Sequence, residues 1–172
     1  MGFPKRQDAS SLQGVGVSTV APSNGEVLQY SSASGTWGPG ARPAAVTAEL
    51  GADLAVVAAT GTAVLSISLG VGTWLVTGSL TAINGAATAA IIEVVVAVGT
   101  ATASFAGAAS ASTEFPAVLS GSRSLAVAVL VTVTAAGTLV LSVESANACT
   151  VKALSPAYAF QAATGIVATP IN

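Results

Sequence analysis

After Thr60, apolar and polar residues alternate with a period of two through most of the chain, the pattern of strands with one buried face. Ala63, Leu65, Ile67 and Leu69 alternate with Val64, Ser66 and Ser68, and Gly70-Val71-Gly72 reads as a turn. A second strand runs from Thr73 to Leu80, and Asn84-Gly85 predicts a two-residue hairpin after it. A third strand, Ile91 to Val98, is apolar on both faces. Ala101 to Phe105 and Phe115 to Leu119 are shorter candidates. Leu125, Val127, Val129, Val131 and Val133 then share one face, Ala135-Ala136-Gly137 reads as a short hairpin loop, and Leu139, Leu141 and Val143 resume the alternation. Cys149 to Leu154 and Gly165 to Ile171 close the chain. About eight to ten short strands at regular spacing predict an all-β sandwich or jelly roll. Trp74, Leu80, Val129 and Leu141 are the expected core of this region.

The earlier part of the chain is different. Residues 1–43 are rich in Ser, Gly and Pro and hold no sustained apolar period, so they cannot bury enough area for a core of their own. They are expected to be an extended segment ordered by other chains, reaching about 140 Å at about 3.3 Å per residue. The domain reading is therefore 1–43 as an anchoring or stalk segment and 44–172 as a β-sandwich head. Residues 44–58 hold the one stretch that suggests a helical turn, with Glu49 and Asp53 four apart on one face.

Composition changes this picture in one respect. Apolar types make up 52% of the chain and charged types 7%, against roughly 25% charged in an ordinary soluble domain. Such a surface must be hidden in a membrane or in an oligomer. Ser124 to Val143 is uncharged and long enough to span a bilayer, but its Val and Thr content, its alternation and its Gly137 break favour strands. The basic pair Lys5-Arg6 is followed by no apolar run, so no signal peptide is expected. Strands apolar on both faces, with no helices to cover them, point to a second subunit on the outer face. The net charge of -2 gives no footprint for nucleic acid.

Catalytic chemistry finds little to work with. The absence of histidine removes Ser-His-Asp and Cys-His catalysis and histidine metal sites. The single Cys149 forms no intrachain disulfide and reads as a small buried hydrophobe. The acidic residues are scattered without calcium-loop spacing, and no phosphate-binding glycine loop is present. No enzyme activity and no cofactor are expected. Glu93 interrupts an apolar strand; it points to water, or, if buried at an interface, takes Arg123 or Lys152 as partner. Trp37 and Trp74 are conceivable sugar-stacking platforms, with core packing the simpler reading of Trp74.

Two stretches carry a resemblance. Pro22-Ser23-Asn24-Gly25-Glu26-Val27-Leu28-Gln29-Tyr30, followed by Gly35-Thr36-Trp37, resembles a short module recurrent in phage tail fibres and other virion fibres. It reads as a hairpin: Val27, Leu28 and Tyr30 on one arm, Ser31 to Gly35 as the turn, Trp37 on the return. One copy is too small to stand alone, whereas three about an axis would bury Leu28, Tyr30 and Trp37 together. Leu69 to Ser79, with Gly72-Thr73-Trp74, and Ala162 to Ala168 resemble the strand entry and closing strand of complement C1q and tumour-necrosis-factor jelly rolls, as found at the ends of phage fibres.

The resemblance implies a homotrimeric structural virion protein: a capsid decoration or head-fibre protein on the surface of a tailed bacteriophage, assembled in the host cytoplasm. Its N-terminal segment, through Val27, Leu28, Tyr30 and Trp37, would grip the major capsid protein or tail proteins while the head projects. The alternative is a short tail fibre or minor tail protein that binds a host receptor such as a surface glycan. A glycan-degrading virion enzyme and a membrane pore are the disfavoured rivals.

Overall fold

The computed structural model describes residues 11–12, 14–23, 26–31, 33–41, 44–153 and 164–171. Asn24-Gly25, Leu154 and Ala162-Ala163, which the sequence reading uses, lie outside them. The chain divides into two compact units, Met1–Pro43 and Ala44–Asn172.

The first unit holds β1 (Ser11–Leu12), β2 (Val15–Gly16), β3 (Glu26–Ser31) and β4 (Thr36–Ala41). β1 pairs with β2, and β3 pairs antiparallel with β4. Gly35, at a φ of 64°, supplies the left-handed position that closes the β3–β4 turn. Val17 adds a parallel bridge to Trp37, and the Ser18 N–H donates to the Trp37 carbonyl at 2.6 Å. Residues 26–41 thus double back and reach less far than the fully extended expectation.

The second unit is all β among its described residues. It comprises β5 (Val46–Glu49), β6 (Leu54–Val56), β7 (Thr62–Leu69), β8 (Gly72–Asn84), β9 (Ala90–Val98), β10 (Thr102–Ala106), β11 (Ser110–Phe115), β12 (Ser122–Ala135), β13 (Gly137–Ser145), β14 (Cys149–Val151) and β15 (Gly165–Ile171). The helical turn expected over 44–58 is overturned. β5 pairs with β15 and β6 with β14, partners supplied by the far end of the chain. Glu49 and Asp53 therefore share no helix face.

Two sheets pack face to face. In the larger, β8 is the central strand. Its one edge pairs with β12 along nearly its whole length, and β10 lies outside β12. Its other edge is shared by β15 over Thr73–Ser79 and β14 over Ala82–Asn84. The smaller sheet runs in the order β11-β9-β13-β7, all antiparallel. From β7 to β14 each successive strand lies in the other sheet. The hairpins expected at Asn84-Gly85 and at Ala135-Ala136-Gly137 are accordingly corrected: both are crossings between sheets.

The two crossings use their residues differently from hairpin turns. Asn84 has no positive φ. Its buried side chain instead donates to the Thr88 and Pro116 carbonyls at 2.9 and 3.2 Å, while its Oδ1 accepts from the Ala86 N–H and Asn147 Nδ2. Gly137 is required by close approach: an added Cβ would stand 2.4 Å from the Ala101 backbone nitrogen.

The core lies between the sheets. Leu125, Val127, Val129, Val131 and Val133 of β12 face Leu139, Leu141 and Val143 of β13 and Ile92, Val94 and Val96 of β9, all buried. The four expected core residues, Trp74, Leu80, Val129 and Leu141, are buried in this cluster. Fully burying one such Leu or Val contributes roughly 1.5–3 kcal/mol. Shorter strands differ from expectation at their ends. β11 ends at Phe115 rather than starting there, because Phe115 is fully buried at the sheet's end and Pro116 follows.

Candidate functional site

Chemistry-bearing side chains are dispersed over the second unit. Among the described residues no three of His, Cys, Asp and Glu stand close enough to share a metal ion. Lys152 forms a salt bridge with Asp53, which also accepts the Ala153 N–H at 3.0 Å. The Lys152 hydrogen bond, followed by that of Ala153, holds the Asp53 carboxyl below its ordinary pKa. Burial pushes the Cys149 thiol up, so it is a poor nucleophile. The pair ties the β5–β6 connection to the end of β14 and is structural.

Glu93 is half-buried on the outer face of the smaller sheet. Its cross-strand neighbours are Glu144 on β13 and Ser112 on β11. Both expected partners are engaged elsewhere: Lys152 with Asp53, and Arg123 with the Glu114 carbonyl at 2.9 Å. Like charges directly opposed on a sheet are destabilising. This face must therefore keep its carboxylates in contact with water.

The two tryptophans part company. Trp74 is 6% exposed, and its Nε1–H donates to the Gly70 carbonyl at 3.1 Å. Its ring is no platform for a ligand. Trp37 lies on β4 opposite Tyr30, with the ring centroids 5.6 Å apart and tilted by 60°. The register places Leu28, Tyr30, Trp37 and Pro39 on one face of the hairpin, and Val27 on the other beside Gly40. Leu28 and Tyr30 are each 51% exposed, and no described protein atom accepts from the buried Trp37 Nε1–H. An apolar hairpin face of this kind, built on two strands, is a surface for contact rather than a core.

A second surface was not legible from motifs. The outer face of the larger sheet presents Leu75, Thr77 and Ser79 on β8, Ala126, Ala128 and Leu130 on β12, and Val167 and Thr169 on β15. A shallow hollow of about 320 Å³ crosses it where Thr77, Ala126, Ala128 and Gly165 are too small to fill the sheet surface, and Glu49 at the β5 edge also lines it. The alternation along β12 signals that Ala126, Ala128 and Leu130 share a face; that β8 and β15 continue the same uncharged surface is a matter of register. No helix among the described residues is long and apolar enough to cross a membrane.

Compared with known families and characterised proteins, the chain matches no family model and no curated relative.

Proposed function

We propose that this chain is a non-enzymatic structural protein of a tailed-bacteriophage particle, a capsid decoration or head-fibre protein. Residues 1–43 attach it to the particle, and residues 44–172 form a projecting trimeric jelly-roll head. The observation that carries the reading is the pairing of two regions: a hairpin that leaves Leu28 and Tyr30 half exposed, and a sandwich that needs no help to bury its core. The jelly-roll reading is supported by strands that alternate between sheets from β7 to β14, giving the orders β5-β15-β8-β12 and β7-β13-β9-β11. The trimer is supported by uncharged residues on outer strand faces and by the 7% charged content. The hairpin face would meet its counterparts, or a capsid or tail protein, in the assembled particle.

The test is co-sedimentation with phage particles lacking this protein. The full chain binds, and a chain lacking residues 1–43 does not. Fusing residues 1–43 to an unrelated trimeric domain transfers binding, since three linked copies gain through effective concentration. Full occupancy by the truncated chain would overturn the assignment of attachment to the N-terminal segment. Failure of the full chain to bind any part of the particle would overturn the virion role. Imaging the labelled chain on the particle then separates a shell position from a tail position, the alternative under which the head would contact a host receptor.

A further inference from the structure

An asparagine followed by glycine carries a reaction of its own. The glycine nitrogen, on losing its proton to solvent, attacks the asparagine Cγ. The new N–C bond closes a five-membered imide. The bond from Cγ to the side-chain nitrogen breaks, and that nitrogen leaves as ammonia with a proton taken back from solvent. Water then opens the imide at either carbonyl. One product is aspartate; the other is isoaspartate, with the main chain rerouted through Cγ. Water is the only co-reactant, and no group is oxidised or reduced. Glycine favours the closure because no Cβ restricts its backbone. Among the described residues, Asn84-Gly85 is such a pair.

Every atom this reaction needs to move is tied. Asn84 ends β8 and is 1% exposed. Its Nδ2 donates to the Thr88 and Pro116 carbonyls at 2.9 and 3.2 Å, and its Oδ1 accepts from the Ala86 N–H and from Asn147 Nδ2 at 3.2 and 3.3 Å. Its own N–H donates to the Gly121 carbonyl, and its carbonyl accepts from the Ser120 N–H. The attacking nitrogen is held too: the Gly85 N–H donates to the Ala148 carbonyl at 3.0 Å, a bond that favours keeping the proton. These partners come from three connections, 85–89, 116–121 and 146–148. Neither residue of the pair is replaced cheaply. A Cβ on residue 85 would stand 2.7 Å from the Ala148 carbonyl oxygen. At residue 84 a short side chain must both donate twice and accept twice, which is the inventory of an amide.

We infer that Asn84-Gly85 is a latent modification site: deamidation is silenced while the three connections are closed, proceeds when they open locally, and traps the product outside the native fold. The inference does not depend on the proposed function. The gate follows from the bonds, since Gly85 cannot reach Cγ before the Ala148 bond and the side-chain bonds of Asn84 are broken together. Openings of that extent cost less than global unfolding. The trap follows from the product. In aspartate one oxygen would keep the Ala86 and Asn147 donors, while the other would replace Nδ2 against the Thr88 and Pro116 carbonyl oxygens. Acceptor would face acceptor in a buried site, so the carboxyl must stay protonated or leave. Isoaspartate instead lengthens the main chain where Asn84 pairs with Cys149 of β14. Either product makes the opening one-way, and the lifetime of the fold is then set by how often these connections open.

The test uses the full chain. It is held at mildly alkaline pH, in buffer and in denaturant above its unfolding midpoint, and then cleaved after glutamate. Glu49 and Glu93 bound the fragment that carries Asn84, and the mass of that fragment reports amide replaced by carboxyl. Conversion in buffer is at least about tenfold slower than in denaturant, which corresponds to an opening that costs about 1.4 kcal/mol or more. A smaller difference overturns the gate. In denaturant well below the midpoint, conversion rises in step with hydrogen exchange at the Gly85 and Ala86 amides; conversion that follows global unfolding instead overturns the local opening. Chains converted in denaturant and returned to buffer are missing from the refolded fraction. Asn84→Asp, the product made by substitution, has a lower denaturation midpoint than the parent at neutral pH or does not fold. Converted chains that refold in proportion, or Asn84→Asp that unfolds with the parent, overturn the trap.

Discussion

Trp74 and Trp37 show how differently the two regions satisfy the same residue type. Trp74 sits in a cluster drawn from both sheets, and its N–H reaches the Gly70 carbonyl four residues back. Trp37 packs on Tyr30 across a two-stranded hairpin, and its buried N–H meets no described protein acceptor. Region 44–172 has two sheets, so each strand finds apolar partners across the gap as well as in its own sheet. The hairpin has one layer, and one layer leaves an apolar face open. The first arrangement buries its apolar residues between its own layers, and the second leaves Leu28 and Tyr30 half exposed.

The comparison breaks most visibly at Trp74. Trp74→Ala should destabilise the second unit by roughly 3–5 kcal/mol, the range for large buried aromatics, read as a lower denaturation midpoint at an unchanged slope. A variant that unfolds with the parent would return Trp74 to the surface and erase the contrast with Trp37.

Asn84→Ala comes next. It removes one of two donors to the Thr88 and Pro116 carbonyls, which keep Asn147 Nδ2 and the Val118 N–H, and it takes from the Ala86 N–H its side-chain acceptor, where the 85–89 and 116–121 connections meet. Losing these bonds and leaving the Ala86 N–H without that acceptor costs about 1–3 kcal/mol. Amide exchange should accelerate in those connections first. Uniform acceleration across the sandwich would mean that Asn84 acts only through global stability.

Leu28→Ser combined with Trp37→Ser should leave the unfolding of residues 44–172 within about 0.5 kcal/mol of the parent, as for changes outside a core. The same variant should lose co-sedimentation with particles. A matching loss of head stability would show the hairpin to be part of the head's core.

The smallest effect sharpens the comparison within the second unit. Asp53 is held below its ordinary pKa by Lys152, so its contribution is present above the unfolded carboxylate value, about 3.9. That contribution is lost as the pH falls below this value, through the lower folded pKa. The pair is exposed and screened, so the effect is small. The difference in melting temperature between the parent and Asp53→Asn should be slight at pH 7, smaller at high salt, and gone at the acid end. A difference that grows toward acid would contradict the assignment.

What could be read from the chain and what could not follow one physical division. The alternation from Leu125 to Val133 determines a strand and its buried face, because successive side chains on a strand must point to opposite sides. The same logic marks Trp74, Leu80 and Leu141 as inward-facing. Tyr30 and Trp37 could be placed on facing hairpin arms because only a short turn separates them. All of these are consequences of local geometry. Which sheet a strand enters is not local. Asn84-Gly85 and Ala135-Ala136-Gly137 have the chemistry of tight reversals, and a reversal leads equally to the neighbouring position or over the top to the facing sheet. The choice depends on which edge partners the rest of the chain has left free. Residues 44–58 read as helical because β5 and β6 are short and their partners, β15 and β14, are about a hundred residues away, out of reach of any local pattern. The opposition of Glu93 and Glu144, and the joining of Leu75, Thr77, Ala128, Leu130 and Val167 into one uncharged face, are likewise products of register between distant strands. Periodicity along the chain determined which side of each strand is buried; only the tertiary pairing decided what the other side became.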